Sequence, residues 1–403
     1  MALKTLLTAV AVACLGAGAA AAQGNDGPVK IGVLNDRSSL YADLSGQGSV
    51  EAAKLAVEDV GGKALGKPVE IVFADHQNKP DVGSSVARRW FDTEGVDVIT
   101  DVPNSAVALA VQEVAREKGR ITLFSGPATA DLTGPKCSPT GVHWTYDTYG
   151  LAHGTGNAVV KSGGDTWFFI TADYAFGHAL ERDTSEVVKG AGGKVLGSVR
   201  VPLNSQDFSS FLLQAQSSGA KVIGLANAGG DTVTSIKQAS EFGIVQGGQK
   251  LAGLLVFVDD VHSLGLKTAQ GLQLTESFYW DQNDQTRAWS KRFFERTNKM
   301  PSMVQAGVYG AVLHYLKAVE AVGSKDPQKV MAKMRETPIN DFMTHDGKLR
   351  EDGKVVRDMY LFEVKKPEES KGEWDLYKQV REIPAAEVTR PLDQGNCPLV
   401  KKS

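Results

Sequence analysis

Little in this chain invites covalent, phosphate or metal chemistry. No Gly-rich loop ends in Gly-Lys-Ser/Thr: Gly192-Gly193-Lys194 runs on into Val195 and opens a strand, so a phosphate cradle is not supported. Gly154-Thr155-Gly156 lacks the third glycine of a dinucleotide fingerprint and follows no strand. No Gly-x-Ser-x-Gly elbow presents a nucleophilic serine. The seven histidines (76, 143, 153, 178, 262, 314 and 345) include no His-x-x-x-His pair, so they read as structural or surface groups and no metal is expected. Asp259 and Asp260 are adjacent and neighbouring side chains point different ways, which makes them poor evidence for a carboxylate dyad. Charge of one sign is lacking too. A net charge of −3 gives no electrostatic reason to expect nucleic acid or an anionic membrane as partner. The expectation is a non-enzyme with no cofactor.

Cysteine is scarce, with three in 403 residues. Cys14 falls in a leader. Lys4 gives it a positive start, residues 6–15 are an apolar run, and residues 16–22 are small and flexible. This is the pattern of a secretory signal peptide (1–22) cleaved near Ala22, which places the mature chain in the periplasm. The run is shorter than the roughly 20 residues a membrane span needs. Lipid attachment at Cys14 is the lesser alternative, because the strong Leu expected three positions upstream is missing. No later segment is long and apolar enough to span a bilayer, so a soluble product is expected. Cys137 and Cys397 remain, each in Pro-containing, loop-like surroundings, and in an exported protein the pair suggests a disulfide. Two unrelated buried thiols are the alternative.

The rest alternates strand and helix. At 42% hydrophobic and 23% charged the composition is that of a globular chain of two-domain length. Strands are expected at 29–34, 69–74, 96–102, 121–124, 166–171, 194–201, 221–226, 251–258 and 272–279, most as unbroken apolar runs suited to parallel strands covered on both faces. Helices are expected at 49–60, 207–217, 232–242, 285–297 and 302–322, with Asp207 and Asp231 as N-caps. Residues 135–150 lack helical period, and the pattern restarts at Trp167-Phe168-Phe169-Ile170. The fold class is therefore α/β, two Rossmann-like lobes with parallel sheets joined by three crossings. The other two crossings are expected at 271–280 and 338–342. Lobe 1 takes 27–143 plus 278–340, lobe 2 takes 144–277 plus 341–390, and 391–403 is a tail.

The chain resembles the type I periplasmic substrate-binding proteins of ABC importers, typified by the leucine/isoleucine/valine-binding proteins. The resemblance rests on Val29-Lys30-Ile31-Gly32-Val33-Leu34, Ser125-Gly126-Pro127-Ala128-Thr129-Ala130-Asp131-Leu132-Thr133 and Thr171-Ala172-Asp173-Tyr174-Ala175-Phe176-Gly177. Asp207-Phe208-Ser209-Ser210-Phe211, Pro301-Ser302 and Tyr309 add to it. It implies two lobes that close on a small ligand and dock on a membrane permease; a monomer is expected. A ligand sensor of the same fold and an exported α/β enzyme are the rival readings.

In open parallel sheets ligands bind beyond the carboxyl ends of the strands. Amides at the helix starts near Asn104-Ser105 and Ala128-Thr129, with the hydroxyls of Ser105 and Thr129, suit a carboxylate. Simple N-capping is the alternative there. The resemblance implies the same two loops as the carboxylate grip, with Tyr41, Tyr174 and Phe176 as pocket aromatics. Asn227, Asp259 and Asp260 are expected to face the same cleft, one of the acids meeting a ligand amine. The expected ligand is a small carboxylate, a branched-chain or related amino acid first, with aromatic or aliphatic acids or amides as the alternative.

Overall fold

A computed structural model describes residues 27–401, so the expected leader, its cleavage point and Cys14 lie outside the described residues. The first apolar run forms β1 (Lys30–Asn35), with five of its six residues buried. Then come α1 (Gly46–Asp59), β2 (Glu70–Asp75), α2 (Pro80–Asp92), β3 (Val98–Asp101), α3 (Ser105–Glu117), β4 (Ile121–Phe124) and β5 (Gly141–His143). They build a five-stranded parallel sheet in the order β2-β1-β3-β4-β5. Gly32 is glycine because a Cβ there would lie 2.5 Å from the ring of Trp90, which α2 presses onto β1. β5 lies inside 135–150, which the sequence pattern assigns to a connection. Three residues are too few to show a period.

The second lobe repeats the scheme with β6 (Thr166–Ala172), α4 (Ala175–Gly190), β7 (Lys194–Val201), α5 (Ser209–Ser217), β8 (Val222–Ala226), α6 (Gly230–Glu241), β9 (Lys250–Gly253) and α7 (Val258–Leu264). Its parallel sheet runs β9-β8-β6-β7. The expected strand 251–258 stops at Gly253. Leu254 to Phe257 are all buried, Leu255 and Phe257 at the cleft and Val256 in the second-lobe core, and α7 begins directly after them. Asp207 sits just outside α5, where its Oδ1 accepts the Ser209 amide. Asp231 does not cap α6. It lies inside the first turn and accepts the Asn204 amide at 3.1 Å.

After β10 (Gln273–Glu276) the chain returns to the first lobe through α8 (Asp284–Thr297) and α9 (Met303–Val322), both packed on α1. Ser302 caps α9 with a reciprocal Gln305 contact, and Arg292 and Tyr309 both bond Asp59. α10 (Pro327–Glu336) leads into a small antiparallel sheet of β11 (Ile339–Asp341), β12 (Thr344–Leu349) and β13 (Val355–Val356). A bridge between His143 and Lys354 docks this sheet on the edge of the first one. The chain thus leaves the first sheet after Val356, rather than at the expected 338–342. The misplacement is physical: Ile339 and Met343 are buried beside α9 and α10, which looks like crossing material in one dimension. β14 (Met359–Val364) then pairs antiparallel with β10 beside the second sheet, and β15 (Tyr377–Ile383) pairs antiparallel with β14. Cys137 and Cys397 are bonded, with Cα atoms 5.7 Å apart, so the tail ends on the first lobe.

Candidate functional site

The carboxyl ends of β1, β3 and β4 face those of β6, β8 and β9 across a cleft. On the first lobe, Asp36 organises the loop after β1. Its carboxylate accepts the amides of Ser38, Ser39 and Tyr41 and the side chains of Ser39 and Asn78. Burial pushes this carboxyl up, but those hydrogen bonds outweigh it and hold it below its usual range. The result is a fixed backbone at Tyr41, whose side-chain hydroxyl meets that of Tyr174 from the opposite lobe at 2.5 Å.

After β3 the backbone turns through left-handed conformations at Asp101 and Val102, with φ of 79° and 54°. For a β-branched valine that is a strained geometry, and such strain collects at ligand sites. Asp101 is fully buried. Its Oδ2 accepts from Asn35 and Ser45, while Oδ1 has no partner. Burial pushes its carboxyl up to about 6.

The next two loops differ from the expected amide cradle. Asn104, not Ser105, caps α3: its Oδ1 takes the amides of Ala106 and Val107 at 3.0 and 3.1 Å. Ser105 Oγ instead accepts the Ala128 and Thr129 amides at 3.3 and 3.2 Å. Thr129 Oγ1 accepts the Asp131 amide and caps a short turn. The capping alternative therefore describes Asn104 and Thr129, and the Ser105 hydroxyl closes the two loops on each other. Tyr146 adds a third tie by donating to the Gly126 carbonyl at 2.6 Å.

From the second lobe, Phe176 stands in the first turn of α4 with its ring 5.9 Å from that of Tyr174. Ala228, Leu255 and Phe257 complete the wall, with Phe257 edge-on to Tyr146 at 6.2 Å. Four expected residues, Tyr41, Ala128, Tyr174 and Phe176, line the cavity. Its free space is about 10 Å³, room for one water. A ligand must therefore displace the tyrosine hydroxyls or part the lobes.

Asn227, Asp259 and Asp260 do not line it. Asn227 bonds Thr232 and Ser235 of its own following helix. Asp260 accepts the Phe257 amide at 2.9 Å and so caps α7, with burial pushing its carboxyl up to about 7. Asp259 is raised further by burial and by Asp260 beside it. Sequence reasoning missed Tyr146, Leu255 and Phe257. The last two lie in a run that reads as strand, and Tyr146 in a stretch that reads as connection. It also missed Glu276, a fully buried carboxyl pushed up by burial and bonded by the Tyr377 hydroxyl. Nothing in the local sequence marks that burial. Among the described residues no Lys, Arg, Asp, Glu or His lines the cavity. Among the described residues no group of His, Cys, Asp and Glu is placed to hold a metal ion.

Comparison with known proteins agrees with this architecture. A family model described as periplasmic binding protein matches residues 28–373. A Leu/Ile/Val-binding protein homolog 6 from Brucella melitensis biotype 1 is 26% identical over 332 residues, covering 80% of this chain and 82% of that protein. The crystal structure of a periplasmic binding protein from Burkholderia mallei superposes with a TM-score of 0.91 at 54% identity, over 93% of this chain and 99% of that one. A branched chain amino acid ABC transporter periplasmic ligand-binding protein from Burkholderia xenovorans LB400 gives 0.82 at 44% identity, over 92% and 99%.

Proposed function

The chain belongs to the periplasmic binding protein family, and from that premise we propose that its two lobes capture a small carboxylate carrying no ammonium group. It is a solute-binding protein of the ABC-importer type, works outside the cytoplasm and is not an enzyme. The observation that carries the ligand reading is the lining. Five aromatic rings, Leu44, Leu255 and small residues surround the cavity, and no acid faces it. The buried carboxyls behind the wall, Asp101, Asp260 and Glu276, are each pushed by burial toward the neutral form. An ammonium group there would therefore lack a direct counter-charge, which is costly. A carboxylate has partners to gain: the Tyr41 and Tyr174 hydroxyls, and the Ala128 and Thr129 amides now held by long bonds to Ser105 Oγ. Export through a leader ending near Ala22, with the Cys137–Cys397 bond formed in an oxidising compartment, belongs to the same reading.

A branched-chain amino acid is the second reading, favoured by the description of the Burkholderia xenovorans relative. A thermal-shift screen of aliphatic and aromatic acids, the matching amides and the matching amino acids separates the two. A ligand at 100 times its Kd adds about 2.7 kcal/mol of stability. Acids that shift the transition where amino acids do not support the reading. A shift with amino acids alone overturns it.

A further inference from the structure

We propose that Gly229 and Gly230 form a backbone clasp with Leu40 that sets how closely the lobes approach, and so limits the size of ligand the site admits. This rests on the reading that the cleft binds its ligand between closing lobes. Gly230 opens α6, so its N–H is one of the first-turn donors with no acceptor inside its own helix. Its acceptor is the Leu40 carbonyl of the opposite lobe, at 3.1 Å. Gly229 has φ 57° and ψ −134°, a conformation open only to glycine. A Cβ on Gly229 would sit 2.4 Å from the Leu40 carbonyl oxygen and 3.1 Å from Tyr41 Cδ1. The missing side chain is thus what lets the two loops touch.

The clasp is main chain on both sides, whereas the tyrosine pair beside it is two movable side chains. A small ligand gains room by displacing the tyrosine hydroxyls while the clasp stays made. A longer one needs the clasp broken. An alanine at 229 makes the loops retreat by about 1 Å to regain an ordinary carbon–oxygen contact, which loosens the site for long ligands and weakens it for short ones.

Two measurements on the full mature chain test this. The first is amide hydrogen exchange at Gly230, read by NMR with the tightest-binding compound of the ladder below at saturation, so that the lobes are closed. The amide is expected to exchange about tenfold or more slowly against its unstructured rate in the parent, and to lose that protection in Gly229→Ala. An unprotected Gly230 in the parent, or undiminished protection in Gly229→Ala, overturns the clasp. Should Gly229→Ala not fold, Gly230→Ala takes its place. That Cβ meets Leu40 Cβ at 3.3 Å, and Leu40→Gly should restore the protection it removes. The second is a ladder of acetate, butyrate, hexanoate and benzoate, with the straight-chain amides alongside. The parent should prefer butyrate to hexanoate by about tenfold or more, and Gly229→Ala should flatten that preference. An unchanged preference overturns the size limit. If the amides bind and no carboxylate does, the ligand reading falls while the clasp is judged on the amide ladder and on exchange.

Discussion

Asp101→Asn should stabilise this protein at pH 8 and do little at pH 4. The Asp101 carboxyl is fully buried under the first-lobe wall of the cleft, and burial raises it from 3.8 to about 6. A carboxyl raised on folding holds its proton more tightly in the folded state. Its ionisation therefore costs stability as pH climbs from 3.8 to 6, and the cost stays constant above that. At 1.36 kcal/mol per unit, about two units amount to about 3 kcal/mol. Asparagine keeps an acceptor for Asn35 and Ser45 but loses the charge-assisted strength of those bonds, about 1 kcal/mol. It also tolerates the left-handed φ of 79° well. The net expectation is about 1–3 kcal/mol of added stability at pH 8, most of it gone at pH 4. Urea unfolding of parent and variant at the two pH values reads it directly. A variant no more stable than the parent at pH 8, or a difference that ignores pH, refutes the reasoning.

Three further outcomes follow from other contacts. Ser105→Ala removes the acceptor of the Ala128 and Thr129 amides, and should lower stability by about 1–2 kcal/mol in urea melts; a neutral result means those loops are held elsewhere. Gly32→Ala drives a methyl into Trp90 and should cost about 1–3 kcal/mol, with a red-shifted tryptophan emission if the ring is displaced toward water. Cys397→Ser opens a loop closed over 260 residues of sequence and should cost about 2–5 kcal/mol. Unreduced peptide mapping of the exported parent should join the two cysteine peptides, and free thiols at both positions would count against it.

Most of the fold was legible because parallel strands covered on both faces write unbroken apolar runs. Residues 121–124, buried throughout, match their strand residue for residue, and 194–201 does so too although it is a partly exposed edge strand. Legibility failed where apolar residues are buried for another reason. Leu255 and Phe257 are hydrophobic because they wall a cavity, so the run 251–258 reads as one long strand and hides the loop that shapes the site. The aromatic half of the cavity lining, Tyr41, Tyr174 and Phe176, was implied by the family resemblance, Tyr174 and Phe176 within the stretch 171–177 that carries it. The polar half was read as pointing at a ligand, yet Asn104, Thr129, Asn227 and Asp260 each satisfy backbone or side-chain groups within one or two turns. A polar residue at a helix start serves a cap or a ligand with the same letter, and only coordinates separate the two. The clasp was invisible for a related reason: in Asn227-Ala228-Gly229-Gly230 nothing local says that the glycines meet Leu40.

Isovalerate and valine share one carbon skeleton and differ by a single ammonium group, so paired calorimetric titrations at pH 7 test the central claim most directly. A cavity walled by rings and apolar chains, with no acid facing in, predicts that isovalerate binds at least about tenfold more tightly than valine, the ammonium going into the site unpaired. Valine binding the more tightly of the two would contradict the account.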